Sequence, residues 1–498
     1  MSEISNGNDD TPSERTAIKK SVLNTAPQLT SRWYYPRRYV VALMAFLGFC
    51  NVYAMRVNLS VAIVAMTTNK TVTNETGTYV LPAEYDWSTD VQGVILSSFF
   101  YGYILTQLPG GYLAAAYGGK RLFGVGIAVT SLFTLLTPLF TKYSLYLLVA
   151  ARVVEGLFEG VTYPAMHAMW SRWAPPLERS KLAMISISGC YIGTVVALPT
   201  SGFLADYLGW PSIFYFSGAI AYGWSVLWFL YIKDKPQNDT RISEDELCYI
   251  RSTLRCQYPY MKVYSPIPWK RMLLSYPVWA IVIAHFSENW GFYTLLTELP
   301  TFMKDVFGYD LHKSGLLIAL PYLAMGIFVV LGGYLADRLR SRGMLSTSRV
   351  RKLFNCTGFV LQTIFLLIAA HSTSPLTLVV CLTAAVGFGG FAWSGFGVNH
   401  LDIAPPYASI LMGISNTFAT LPGMFSPVVT GHLVQHKTQE EWQVVFYISS
   451  AIYLVGAIFY GIFASGEEQS WAHIESGFFG DDDSGKTDDL PFGEASCD

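Results

Sequence analysis

GGYLAAAYGGKR (residues 110–121) and GGYLADRLRSRG (332–343) are two copies of one turn, each closing a long apolar stretch. The repeat continues around them. SGFLADYLGWPSIFYFSG (201–218) is matched by TGHLVQHKTQEEWQVVFYISS (430–450), and WAPP (173–176) by IAPP (403–406). Three landmarks at a nearly constant offset mark two homologous halves. Working outward, about twelve apolar stretches of roughly 20 to 27 residues lie between positions 40 and 465, and about 20 helical residues cross a hydrocarbon core. Backbone polar groups inside lipid are satisfied only in helices or closed barrels. The expected fold is an all-α membrane protein with twelve transmembrane helices in two six-helix pseudo-symmetric halves. Secondary transporters use this plan, with substrate bound between the halves near the midplane.

Composition agrees. Only 14% of residues are charged, against about 25% in soluble domains. A net charge of −2 gives no electrostatic reason for a nucleic-acid partner. The seven cysteines are scattered and show no disulfide framework or metal spacing. No apolar core precedes Val40, so the first helix is expected to act as its own insertion signal. The expected organisation is an N-terminal tail (1–38), a first six-helix half (39–232), a charged connector (233–273), a second half (274–466) and an acidic tail (467–498). The tail's Asp481, Asp482 and Asp483 read as a solvated segment.

Short-loop Lys and Arg set orientation. Arg37 and Arg38 precede helix one, Lys120 and Arg121 follow helix two, Arg172, Arg179 and Lys181 follow helix four, and Arg338 to Lys352 follow helix eight. Both termini are therefore expected in the cytosol. The sequon asparagines Asn69 and Asn74 fall in segment 67–90 on the opposite side, where glycosylation occurs.

Ionisable groups at membrane depth are expensive and mark function. Arg56 lies roughly 15 Å from the outer end of helix one at 1.5 Å per residue. Glu155 and Glu159, at similar depth on helix four, share one helix face. An arginine there needs a carboxylate or an anionic substrate, and its planar fork suits bidentate anion recognition. Two acids beside one arginine would leave one free to exchange protons, with a structural charge network between helices one and four as the alternative. His167 offers a relay toward the cytosol or a packing role. In the second half Glu288 lies near the midplane. Tyr101, Tyr293 and Asn399 are candidate hydrogen-bond partners for a polar substrate. Lys120, Arg121, Asp337, Arg338, His400 and Asp402 cluster at the cytosolic helix ends as gate or structural residues.

RVNLSVAIVAM, SSFFYGYILTQLPGGYLA, RVVEGLFEGVTYPAMHAMWSRWAPPLERSK, WAIVIAHFSENWGFYTLLTELPTFMK and NHLDIAPPYASILMGISNTFATLPGM closely resemble the sialin-type branch of an anion transporter family. That family also holds vesicular glutamate and sodium–phosphate transporters, within the major facilitator superfamily. The resemblance spans about 37 to 472, and the repeated turn is similar to that superfamily's signature loop, with Asp337 present in the second copy and Ala115–Ala116 in the first. It implies the major facilitator fold, with Arg56 as the anion-binding residue and Glu155, Glu159 and His167 as coupling residues. It also implies a role for Lys120. Glu288 departs from it, standing where the relatives tend to carry tyrosine or arginine. An acidic dileucine sorting signal is missing from the tail, while YPYM (258–261) and YSPI (264–267) fit a tyrosine-based pattern.

The reading is a proton-coupled symporter of organic anions, such as sialic acid and acidic amino acids, in a lysosomal or vesicular membrane. It needs no cofactor besides the coupling ion, and a monomer surrounded by lipid suffices. The alternatives are a sodium-coupled phosphate or organic-anion cotransporter at the plasma membrane, a vesicular glutamate or aspartate transporter, and a non-transporting anion sensor. No nucleophile–base pair, phosphate loop or metal cluster suggests an enzyme.

Overall fold

The computed structural model describes residues 35–74, 77–257, 267–307, 311–372, 374–436 and 438–472. Both tails, including Asp481 to Asp483, lie outside the described residues, as does most of the stretch holding the two tyrosine motifs.

The first half comprises α1 (Arg37–Thr67), α2 (Thr89–Tyr117), α3 (Gly119–Tyr143), α4 (Leu145–Glu159), α5 (Thr162–Trp173), α6 (Arg179–Leu208) and α7 (Pro211–Tyr231). The connector forms α8 (Glu244–Gln257) and α9 (Trp269–Leu273). The second half comprises α10 (Tyr276–Phe307), α11 (Leu311–Ser341), α12 (Thr347–Ala370), α13 (Pro375–Ala392), α14 (Val398–Ile403), α15 (Ala408–Leu433) and α16 (Gln439–Phe463). Taken together, α4 and α5 are one broken span, as are α13 and α14, so each half crosses the membrane six times. Among the described residues nine spans are long and apolar enough by themselves. Three fall outside that count: the broken α4–α5, and α10 and α15, which carry the polar residues of the centre. Side chains such as Leu105, Leu208, Ile458 and Ile462 are largely exposed on the outer surface, where lipid tails would cover them.

Two local features depart from an all-helical chain of unbroken spans. Segment 67–90 carries an antiparallel hairpin, β1 (Lys70–Asn74) and β2 (Gly77–Leu81), with Asn74 opposite Gly77 and Asn69 exposed just before it. Cys248 in α8 is disulfide-bonded, although the spacing gave no disulfide framework.

The breaks have identifiable causes. Pro164, in the first turn of α5, has no N–H for the carbonyl of Gly160, and the Thr162 hydroxyl donates to the Glu159 carbonyl at 2.7 Å. This ends α4 at Glu159. Span ten carries a π-turn over Trp393–Gly397, a feature frequent at functional sites. Close packing fixes the charged helix. A Cβ on Gly102 would lie 2.0 Å from the Val153 carbonyl, and one on Gly156 would lie 2.1 Å from the Phe99 carbonyl. Only glycines let α2 and α4 touch in this way.

The halves meet where α6 packs on α11 and α2 packs on α15. The start of α1, the α5–α6 loop and the connector share one face. Arg38 pairs there with Glu178 at 3.0 Å and Glu246 at 2.9 Å, and Arg37 pairs with Asp239 at 2.9 Å. Burial pushes the Glu178 carboxyl up, but the hydrogen bonds and charge of Arg38 and Lys181 outweigh it and hold it below its ordinary value.

Candidate transport site

A narrow cavity lies between the halves, with about 350 Å³ of empty space including what opens to solvent. Its first-half wall is built of tyrosines: Tyr53 from α1, Tyr103 from α2, Tyr163 from α5 and Tyr191 from α6. The second half contributes His285, Glu288, Asn289, Phe292 and Tyr293 from α10, Trp393 from the π-turn and Asn416 from α15.

Arg56 sits behind this wall. Its guanidinium lies 4.6 Å from the Tyr53 ring centre, 4.8 Å from Tyr103 and 5.0 Å from Phe99. Its Nε donates to Glu159 Oε1 at 2.8 Å, and Nη2 donates to the same oxygen. The other oxygen, Glu159 Oε2, is buried without a hydrogen-bond partner. The ending of α4 at Glu159 thus presents one acid oxygen to the arginine and leaves the second open to a proton.

Glu155 does not share Arg56, contrary to the expectation of two carboxylates beside one arginine. It pairs with Arg152 on its own helix and accepts from Thr134 Oγ1 at 3.2 Å and Thr137 Oγ1 at 3.4 Å. Arg152 is a buried cation that the sequence reading passed over. Its i, i+3 spacing from Glu155 inside an apolar stretch was the available signal. The guanidinium lies 5.3 Å from the Phe99 ring that also faces Arg56. One phenyl ring therefore separates two arginine–glutamate pairs.

Other candidates divide. Tyr293 lines the cavity, with its ring 5.7 Å from Phe100 across the halves. Tyr101 does not: it is 48% exposed, and Tyr103, two residues on, takes the cavity position. Asn399 lies elsewhere too, with its Nδ2 donating to the Tyr460 hydroxyl at 3.0 Å. Among the cavity-lining residues Asn416 instead links the halves, donating to Tyr103 at 3.1 Å and to Gln107 at 2.9 Å. Nothing in the local sequence marked it.

Three histidines run from the cavity toward the connector face. His285 Nδ1 lies 3.1 Å from Ser415 Oγ, and the same hydroxyl lies 2.8 Å from His400 Nε2. His400 Nδ1 faces the Gly397 carbonyl at 3.3 Å, and His167 Nε2 faces it at 3.0 Å. A carbonyl only accepts, so neutral His400 carries its proton on Nδ1 and accepts from Ser415 through Nε2. The serine oxygen then accepts from His285 Nδ1. Both nitrogens of His167 face carbonyls, the second being Tyr163 at 3.1 Å, an arrangement fully satisfied only by the doubly protonated ring.

The connector face is closed by a charge cluster. Asp402 accepts from Arg351 at 2.6 Å and has Arg179 at 3.5 Å and Arg340 at 3.8 Å. Asp337 accepts from the Lys181 and Ser180 backbones at 2.6 and 3.3 Å, tying α11 to the start of α6. Arg351 also donates to Ser180 Oγ at 2.9 Å. These contacts join the halves. Lys120 ties the first half to the connector and does not cross to the second half, with its backbone N–H donating to Asp234 at 3.0 Å and its Nζ to the Phe229 carbonyl. Arg172 pairs with the same aspartate. Arg121 is exposed, and among the described residues the Arg338 guanidinium reaches only Tyr334, at 2.9 Å.

Two six-helix halves around a central polar cavity, sealed on one face by the inter-half Arg179–Asp402 ion pair and by hydrogen bonds joining the start of α6 to Asp337 and Arg351, define an alternating-access membrane carrier. Residues 41–427 and 343–478 match the Major Facilitator Superfamily, and the chain belongs to it. Within that superfamily its relatives are anion transporters. The chain is 48% identical to sialin of Homo sapiens over 451 residues, covering 87% of this chain and 90% of that protein. It is 46% identical to vesicular glutamate transporter 1 of Xenopus laevis over 442 residues, 88% of this chain and 77% of the relative. Among solved structures, the proton:xylose symporter XylE bound to 6-bromo-6-deoxy-D-glucose aligns over 86% of this chain and 97% of its own, with a TM-score of 0.64 and 14% identity. That likeness concerns the fold alone. The chain is an organic-anion transporter of the sialin and vesicular glutamate transporter family, not an enzyme.

Proposed function

We propose that the chain couples proton movement to the passage of small organic anions, acidic sugars such as sialic acid and acidic amino acids, across a lysosomal or vesicular membrane. The connector face is the cytosolic one, both tails lie there, and the hairpin with Asn69 and Asn74 faces the lumen. One observation carries the reading: Arg56, at midplane, is neutralised by Glu159, whose second oxygen is buried and unpartnered.

A proton arriving on Glu159 removes the counter-charge of Arg56. The guanidinium then needs another anion, and a substrate carboxylate supplies it. The loaded carrier reorients with its charge balanced, since buried charge without a partner is strongly unfavourable. After release, deprotonated Glu159 recovers Arg56 for the empty return. Arg152 holds Glu155 in reserve, and the Phe99 ring keeps the two pairs apart. In the closed cytosolic face the His285–Ser415–His400 chain gives a proton a path from the cavity toward the gate, and opening of that face exposes its far end. Labelled sialate and glutamate uptake into proteoliposomes, with R56A as control, tests the reading. Acid-side-driven uptake abolished by the substitution is expected, and saturable uptake surviving in R56A refutes it.

A further inference from the structure

Glu288 is used by none of these steps, yet it is the acidic group that lines the cavity itself. It is 2% exposed. An amide reaches it: Gln362 Nε2 donates to its two oxygens at 3.4 and 3.2 Å. Among the described residues no arginine, lysine or histidine forms an ion pair with it. His285, one turn earlier on α10, directs its Nδ1 to Ser415. Room for the carboxyl is built in, because a Cβ on Gly389 would lie 2.0 Å from Gln362 Nε2 and 2.4 Å from Glu288 Oε1.

Beside the amides of Asn289 and Asn416 and the imidazole of His285, the rest of the wall is aromatic: Tyr53, Tyr103, Tyr163 and Tyr191 from the first half, and Phe292, Tyr293 and Trp393 from the second. Aromatic faces around a single carboxyl group are the chemistry that recognises ammonium groups. Arg56 stands behind Tyr53 and Tyr103 and is already neutralised. The surface that a substrate first meets therefore favours a cation.

The geometry points to a cation subsite at Glu288: the substrate carries a protonated amine held by this carboxylate and the aromatic wall, as well as the carboxylate taken by Arg56. This rests on the carrier reading above and narrows it to amine-bearing carboxylates. A second carboxylate directed at Glu288 is disfavoured, and an amine there is favoured.

The full chain in proteoliposomes, driven by an acid side, is given labelled glutamate and glutarate, then aspartate and succinate. Each pair differs only by the amine. Wild type is expected to favour the amine-bearing member at least about tenfold in kcat/KM, the scale of one charged hydrogen bond. Glu288→Gln keeps a partner for Gln362 and is expected to bring the ratio within about twofold, while Glu288→Asp, which retains the charge, keeps the preference. Wild type that carries glutarate as well as glutamate overturns the subsite. An undiminished preference in E288Q, or sialate flux without flux of either amino acid, also overturns it. Absence of carrier-mediated flux for every carboxylate instead refutes the proposed function.

Discussion

Replacing Glu159 with glutamine imitates its protonated form permanently. In the structure this removes the carboxylate paired with Arg56 while leaving three aromatic rings within 5.0 Å of the guanidinium. Breaking a buried ion pair from one side costs about 3 to 5 kcal/mol. The ring contacts are common to both proteins and cancel in the difference, so the loss should be about 3 to 5 kcal/mol. Transport should split. With Arg56 permanently free for an anion, substrate-for-substrate counterflow should persist, because exchange needs no proton release. Net accumulation driven by a pH gradient should vanish, because the empty carrier can no longer neutralise Arg56 on its return. The assay is paired counterflow and gradient-driven uptake in proteoliposomes, with thermal unfolding of the purified variant alongside. Gradient-driven accumulation at wild-type level in E159Q would refute the coupling scheme, whatever its stability.

The seal at the connector face should loosen in Asp402→Asn, since Arg179, 3.5 Å away across the halves, loses its counter-charge; faster labelling of cysteines introduced along α14 reads this, and unchanged labelling contradicts it. Ser415→Ala removes the hydroxyl between His285 and His400; proton-driven uptake should fall about a hundredfold or more, the scale for loss of a positioned proton-transfer group, while counterflow is kept. Gly156→Val forces atoms into the Phe99 carbonyl and should destabilise by about 1 to 3 kcal/mol as an overpacked contact, seen as a lower unfolding temperature. Glu178 is held below its ordinary value of 4.5, so its contribution is complete above that pH and is lost as pH falls through the lower folded value. The unfolding-temperature gap between wild type and E178Q should be flat above about pH 4.5 and shrink below it.

The sequence made the membrane body legible because apolar length is a one-dimensional signal: the bilayer thickness is written directly as stretch length. Arg56 and Glu159 were legible for the same reason, since depth along a helix follows from counting residues. Helical phase was harder. Tyr101 and Tyr103 are two residues apart on α2, where hydrophobic residues surround the helix and mark no face, and only packing against α4 and α15 turns Tyr103 inward. Glu155 was assigned to the wrong arginine because its partner, Arg152, lies on the same helix and was not weighed as a membrane charge. Asn399 points to α16 and Asn416 to α2. Both directions depend on the π-turn and the inter-half contacts, which no local pattern encodes.

The central claim is that Glu159 moves the coupling proton while Arg56 holds the anion. Its most direct test is labelled anion flux in proteoliposomes with pH and sodium gradients imposed separately, for wild type and E159Q. The account predicts accumulation from the acidic side without sodium in wild type, absent in E159Q. Accumulation that requires sodium, or that survives in E159Q, would contradict it.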